Sequence, residues 1–481
     1  MMRFRLAEGP DNVSAQALDS MPPEGWVRFT QMLNRFEAIQ SWPSAVKHWK
    51  VTFLPKSSSL DVDKFRPLSI GSIVYRIWAR CRVQDYGRLV DPHLGKFQAG
   101  HNCDCEVLHL SMESEYPGAE YGFGLGLDYT KAFDSTNASL AAALFARIGV
   151  PPQVLGLLKD QWLGQKRWVS FAGSVSPECL GEVPSLPQGD PWSPLALSLV
   201  LAAPTKRVQR LYPQVACMVY LDDRTLLAPD VQTLHEVYNE WEILSTVTRL
   251  RTNPSKTQCW ARNPSVVRWF EAHHPGFPVV PAAEILGYIV GLHPEDHPKK
   301  AARVTKNETT AARISLLPAG QKLKQLVTTA LLTSAAAWGQ SLIAWDLDKA
   351  AKAHLANWRL AVFGPRPPSS ERASPYLKQF FILGHCSDLR FVVFTRFIMT
   401  LARWYHWRSP SQEVRQAVAE QMQHIVHQVN NGLAEWGWRP TSWGRWASTA
   451  DHTFSIFSNK NERAKLRPNI SCAKVGVRPC S

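Results

Sequence analysis

The sequence predicts an α+β chain with a helical C-terminal part. Three observations carry this. Short apolar strands, two of them ending in acids, alternate with amphipathic helices through about residue 290. Gly- and Pro-rich loops separate them. After about residue 298 the strand signals largely vanish and helical spacing continues to about 430. With 481 residues, the chain holds two to four domains' worth of sequence at about 150 residues each.

Residues 14–40 read as helix, interrupted at the turn signal Met21-Pro22-Pro23-Glu24-Gly25. Val51 to Leu54 is a short strand ending at Pro55, and Ile73 to Val83 and Glu106 to Glu115 are helices. Phe123, Leu125 and Leu127 alternate with glycines, a period of two that marks a strand; the glycines let a neighbouring backbone or ligand come close. Asn137 caps a helix through Ile148, closed by Gly149 and Pro151. Further helices run from about Gln153 to Leu163 and from Ser193 or Pro194 onward. Val215 to Leu221 and Thr225 to Ala228 are strands, with Asp222 and Asp223 at the tight turn between them. Leu234 to Leu250 is a helix and Ile285 to Val290 a strand. A Pro-Ser break falls at 365–370, and the Trp/Arg/Gly-rich tail predicts less regular structure.

Composition narrows the function. Hydrophobic residues make up 45% and charged residues 20%, which suits a large core and excludes a disordered chain. No apolar run is long enough to span a bilayer, and the N-terminus has no apolar core of the secretory kind, so the expectation is an intracellular protein with no membrane partner. Nine scattered cysteines make no disulfide framework and fit a reducing compartment. The net charge of +14 favours a polyanionic partner. Residues 45–90 carry nine Lys/Arg against three acids, and residues 298–324 seven against one, a distribution that suits a groove with two basic walls.

Acids at strand ends carry the chemistry. Asp128 closes one strand, and Asp222 and Asp223 close another. Adjacent carboxylates at a turn repel unless a cation neutralises them. Hard oxygen ligands completed by substrate phosphates describe a Mg²⁺ site; the plain alternative is two solvated turns. Between the acids, LPQGDPWSP is a loop whose backbone can approach a flat ligand, with Gln188 able to bond a base edge or sugar and bulky Trp192 inside it. Lys56 and Arg66 precede the first acid and could hold a triphosphate. Arg224 follows the Asp pair. It either shares the face of Asp222 and competes with a cation for that carboxylate, or turns outward to another partner. His101, Cys103, Cys105 and His109 match no strong zinc spacing.

The order GPDNVSAQAL, FLPK, FRPLSIGSIVYRIWARC, FQAGHNCDCE, LDYTKAFDS, LPQGDPWSPLALSL, YLDD, NPSKT, ILGYIVG resembles the reverse transcriptase domain of the non-LTR (LINE-type) retrotransposon family. The resemblance spans about residues 9–290 and extends weakly to about 400. It implies a right-hand polymerase fold. Residues 1–120 would be N-terminal segment and fingers, 121–290 palm, 291–400 a helical thumb-like region and 401–481 a C-terminal tail. It implies that Asp128 and Asp222, supported by Asp223, hold two Mg²⁺ ions, with Mn²⁺ a substitute, and that the Tyr129 carbonyl adds a ligand. Phe133 matches the aromatic gate against a ribose 2′-hydroxyl. Gln188 and Gly189 line nucleotide and template, Lys56 and Arg66 contact the triphosphate, Lys256 protonates the leaving pyrophosphate, and Tyr220 faces the primer end. Asp134 supports its turn or caps the next helix. The partners implied are an RNA template, a DNA primer and dNTPs, in the nucleus. No nuclease signature is visible at either end, which leaves three expectations: a fragment, a truncated copy, or a chain relying on a partner nuclease. The alternative is a catalytically inactive nucleic-acid-binding relative of the same fold.

Overall fold

The structure is a computed structural model. It describes residues 8–55, 65–101, 103, 105–113, 123–171, 174–261, 263–281, 283–290, 298–338, 347–365 and 389–408, with short stretches between 412 and 455. Lys56 lies outside the described residues. Among the described residues no helix is long and apolar enough to cross a membrane. The chain divides into two compact units. The first is Met1–Asn102, Gly124–Cys259 and Arg268–Val279; the second is Cys103–Phe123, Trp260–Val267 and Val280–Ser481.

In chain order the elements to residue 290 are α1 (Ala15–Asp19), α2 (Pro23–Ile39), β1 (His48–Pro55), β2 (Phe65–Gly71), α3 (Ile73–Tyr86), β3 (Phe97–Gln98), α4 (Cys105–Glu113), β4 (Phe123–Leu127), α5 (Ala132–Ser135), α6 (Ala138–Arg147), α7 (Pro152–Leu163), β5 (Lys166–Phe171), β6 (Ser174–Glu182), α8 (Ser193–Leu211), β7 (Ala216–Tyr220), β8 (Asp223–Leu227), α9 (Val231–Thr248), β9 (Gln258–Ala261), α10 (Pro264–His273), β10 (Val279–Val280), β11 (Ala283–Ile285) and β12 (Tyr288–Val290). Helices α11 (Pro298–Ser315), α12 (Gln321–Thr328), α13 (Ser334–Ala337), α14 (Leu347–Phe363) and α15 (Leu389–Arg408) follow, then β13 (Trp438–Ser442), β14 (Arg445–Ser448) and β15 (Thr453–Ser455).

Two sheets organise the first unit. A four-stranded sheet has the order β2-β1-β5-β6, with β1 antiparallel to β2 and parallel to β5. A six-stranded sheet has the order β10-β9-β4-β8-β7-β3, with β8 antiparallel to both neighbours. Helix α8 backs this core: Leu195 to Ala202 form an unbroken buried run. Local caps fix the helix starts. The Asn137 side chain accepts from the N–H groups of Ser139 and Leu140 at 2.8 and 3.3 Å, opening α6 as its sequence predicts. Asp11 accepts from Ser72 Oγ and the Ile73 N–H, each at 2.7 Å, and so ties the N-terminal segment to the start of α3.

The second unit is mainly helical, and three of its features depart from the sequence reading. Ile285 to Val290 is not one strand. Leu286 and Gly287, at φ 51° and 86°, fold it into the hairpin β11–β12. The tail holds a small antiparallel sheet, β13-β14-β15. Between α12 and α13, Thr329–Thr333 form a π-helical segment that packs Leu332 beside Ala311, Ile314 and Ala361.

Candidate active site

The acids converge through the register of three strands. Strand β8 pairs with β4 through Leu127–Arg224 and with β7 through Tyr220–Asp223. Continuing the first ladder one residue sets Asp128 opposite Asp223. The hairpin turn is Leu221-Asp222, not Asp222-Asp223: Asp223 opens β8. Leu221 sits at φ 55°, a left-handed conformation that a leucine adopts only where its surroundings impose it. That turn puts Asp222 and Asp223 together near Asp128.

Crowding shows in the proton affinities. Burial first, and the charge of Asp128 after it, push the Asp222 carboxyl up, while Lys256 and Arg66 oppose the shift. Asp223 reaches solvent at its surface. The desolvating protein around it, and then Asp222 and Asp128, still push its carboxyl up to about 7. Lys256 Nζ donates to Asp128 Oδ2 at 2.6 Å, so the lysine lies on a carboxylate rather than apart from it. The Asn253 N–H holds the Asp128 carbonyl at 2.8 Å, fixing the NPSKT turn against the end of β4.

The loop Leu186 to Asp190 packs against β2 and the turn at Phe133 and Asp134. The Gln188 carbonyl accepts from the Ser69 N–H of β2 at 2.7 Å. Gly189 has φ 118°, and a Cβ there would lie 2.6 Å from the Ser69 carbonyl oxygen. Gln188 Nε2 donates to Asp134 Oδ2 at 3.4 Å. Asp134 does not cap the next helix; it pairs with Arg167 Nη1 at 3.1 Å. Phe133 is half-buried on α5, and its carbonyl accepts from the Leu186 N–H at 3.2 Å. Arg66 is exposed on β2, and Tyr220 ends β7 beside Asp223. Trp192 does not crowd the loop: it is fully buried, edge-on to Phe145 at 5.1 Å.

Sequence reasoning missed three groups. Arg167, 5% exposed, bonds Gln165 Oε1, the Ser185 carbonyl and Ser185 Oγ as well as Asp134. Asp190, 2% exposed, accepts from Tyr75 Oη at 2.7 Å, Trp162 Nε1 at 2.8 Å and Ser193 Oγ at 3.2 Å. The third is Tyr129, singled out for its carbonyl alone. Its ring is buried and its hydroxyl lies 3.2 Å from Ser245 Oγ. An acid directly after LPQG, three residues before the small polar Ser193, was the one legible signal.

Asp190 gives a pH prediction. Burial pushes its carboxyl up to about 6, against an ordinary 3.8. A raised acid binds its proton more tightly folded than unfolded. Its contribution is therefore full below about pH 4 and is lost as pH rises through 6. At about 1.4 kcal/mol per unit, the cost at neutral pH approaches 3 kcal/mol. Thermal melts should show wild type losing stability relative to Asp190→Asn between pH 4.5 and 7.5. A pH-independent difference between the two proteins would refute the buried-acid assignment.

The family described as reverse transcriptase (RNA-dependent DNA polymerase) matches residues 54–290. The chain is similar to the solved telomerase of Candida albicans in complex with a TWJ fragment of telomeric RNA, at 11% identity and TM-score 0.39, over 85% of this chain and 67% of that one. It is also similar to apo telomerase of Candida tropicalis, at 10% identity and TM-score 0.38, over 82% and 72%. A form of the latter truncated from its C-terminal domain matches at 12% identity and TM-score 0.35, over 48% of this chain and 55% of that one. This chain thus spans about half to three quarters of the length of these structures. A search among curated proteins found no match. Residues 54–290 form a reverse transcriptase domain, built on the right-hand polymerase fold.

Proposed function

We propose that the chain is an RNA-directed DNA polymerase of the non-LTR retrotransposon kind. It extends a primer 3′-hydroxyl with dNTPs along an RNA template, in the nucleus. The observation that carries this reading is the meeting of Asp128, Asp222 and Asp223 beside Lys256. The donor set fits divalent cations. It offers hard carboxylate oxygens, and the charge of Asp128 adds to the raised proton affinity of Asp222 and Asp223, a penalty that a shared cation relieves. Two Mg²⁺ ions, or Mn²⁺ in their place, would be held by these three acids and would supply charge stabilisation to the attacking and leaving oxygens.

The chain's own residues do the rest. Gln188 is held by Asp134 and Ser69, so the nucleotide wall is set before substrate arrives. Arg66, whose charge reaches Asp222, takes the triphosphate together with Lys56. The primer 3′-hydroxyl releases its proton to solvent as its oxygen forms a bond to the α-phosphorus, and the bond from that phosphorus to the β-phosphate oxygen breaks. The Lys256 side chain is 55% exposed, and its long stem lets the ammonium pass from Asp128 to the departing pyrophosphate and give it a proton. The Tyr129 carbonyl completes the acid cluster and Tyr220 backs the primer end. Phe133 walls off the 2′ position. Phe133→Ala should therefore narrow the preference for dNTP over rNTP at least about tenfold, consistent with the loss of one packed contact. Single-nucleotide incorporation measures this, and unchanged sugar discrimination would remove the gate assignment.

The deciding experiment is primer extension on an RNA template with four dNTPs and Mg²⁺. Template-directed products are expected. Tight, salt-sensitive binding without extension would favour the non-catalytic relative instead.

A further inference from the structure

Arg224 neither faces Asp222 nor turns outward. It is 1% exposed, among the largest fully buried side chains described. Its guanidinium carbon lies 3.5 Å from the Tyr129 ring centroid and 5.2 Å from that of Trp241. Nη2 donates to Thr252 Oγ1 at 3.4 Å, and Thr252 donates in turn to Glu242 Oε1 at 2.5 Å. Nε and Nη1 have no hydrogen-bond partner among the described residues. Apart from this one long hydrogen bond, the cation is held by aromatic faces.

Such a side chain is a poor stabiliser. A buried charge with most of its donors unmet commonly gives a less stable protein than an apolar residue of similar volume. Its connections point to another use. Tyr129 follows Asp128 directly and is itself anchored through Ser245 of α9. Thr252 pairs with Tyr129 in an isolated β-bridge and precedes Asn253, whose N–H holds the Asp128 carbonyl. Arg224 itself lies one residue beyond Asp223 on β8. One planar cation therefore touches the segment bearing Asp128, the segment leading to Lys256, and the strand bearing Asp223.

We propose that Arg224 is a positioning residue that sets the spacing of Asp128 against Asp222 and Asp223 by clamping Tyr129 and Thr252 from beneath the site. The proposal rests on the polymerase reading for its kinetic consequence, but the clamp can be read without turnover. Arg suits the role better than Lys, because its flat guanidinium stacks on a ring while donating from its edge.

The test compares Arg224→Met and Arg224→Lys with wild type in the full chain. The readouts are thermal melting, Mn²⁺ binding by EPR titration, and steady-state primer extension. For Arg224→Met the expected result is a melting temperature equal to or above wild type, and Mn²⁺ affinity about tenfold weaker. Extension kcat should fall about 10- to 100-fold while KM for dNTP stays within about threefold. Arg224→Lys should fall between the two. A residue that merely supports the fold would lower melting together with activity and leave Mn²⁺ affinity unchanged in the folded fraction. If Arg224 acted through charge alone, the Arg224→Met protein would bind Mn²⁺ more tightly than wild type. Either result overturns the clamp. Should Arg224→Met fail to fold, Glu242→Gln loosens the Thr252 end of the same chain of contacts from a half-buried position. It should weaken Mn²⁺ binding a few-fold without a change in melting, and unaltered binding refutes the proposal. If wild type binds Mn²⁺ but extends no primer, the polymerase reading fails. The Mn²⁺ comparison still decides the clamp.

Discussion

Asp222→Asn should abolish primer extension, by at least about a thousandfold in kcat, while the protein becomes no less stable. The two halves of that expectation come from one arrangement. Asp222 stands in the Leu221-Asp222 turn with its carboxyl pushed up by burial and by Asp128. The amide is nearly isosteric and carries no charge. It removes one of three mutually repelling carboxylates, so the metal-free protein should melt at the same temperature or higher. The same change removes a hard anionic oxygen from the proposed cation site. On the polymerase reading, stabilisation of the attacking and leaving oxygens by several kcal/mol depends on that charge, and each 1.36 kcal/mol is a factor of ten in rate. Falling stability with falling activity would instead mean that the turn had collapsed. Near wild-type extension would mean that Asp222 is not part of the chemistry. A second readout is internal: with Asp222 neutral, the Asp223 carboxyl should titrate below its present value of about 7, since Asp222 is one of the charges holding it up. Carboxylate NMR titration of the two proteins measures that shift.

What the sequence made legible, and what it hid, follows from which forces were local. Strand β4, the Asn137 cap and the long apolar helix α8 depend on period and capping, which are written in consecutive residues. The four-stranded sheet was largely invisible. Strand β2 carries Pro67 opposite Phe53, and β6, SVSPECLGE, carries Pro177 and Gly181, residues that read as breakers. Each forms a strand because a partner strand supplies the ladder. The alternating glycines of β4 promised a close approach that Gly126 does not make: a Cβ there would meet the Gln258 carbonyl oxygen at an ordinary 3.9 Å.

At the site, the convergence of Asp128, Asp222 and Asp223 was legible because each stands at the end of a strand or in the turn between two. Their partners were not. Nothing local announces that Arg167 holds Asp134, that Tyr75 and Trp162 hold Asp190 from 115 and 28 positions away, or that Arg224 lies under Tyr129. These are contacts between elements, decided by packing. The hairpin was misjudged by one residue for a related reason. A leucine at positive φ is disfavoured by its own backbone, and only the strand pairing on both sides of Leu221 places it there.

Gly189→Ala should lower kcat/KM for dNTP by about a hundredfold or more, and should lower the melting temperature as well. Here strain and collision act together. A φ of 118° lies outside the left-handed well that non-glycine residues occasionally occupy, and holding one there costs about 1–3 kcal/mol. The added Cβ would also lie 2.6 Å from the Ser69 carbonyl oxygen, a backbone atom fixed in β2 by its pairing with Val51 of β1. The loop must therefore move, and its movement breaks the 2.7 Å bond from the Ser69 N–H to the Gln188 carbonyl, worth about 1 kcal/mol. Gln188 then loses its setting against Asp134, and a displacement of about 1 Å at a positioned group can cost a hundredfold in rate. Gly181→Ala is the control. Its φ of 75° is also positive, but no described residue lies within 4 Å of the added Cβ, and it stands on the β6 edge strand, outside the loop itself. That variant should lose some stability and keep its KM. If Gly189→Ala and Gly181→Ala behave alike, the close approach between the loop and β2 has no bearing on nucleotide use. A selective rise in KM at Gly189 alone would tie the LPQG backbone directly to the substrate wall.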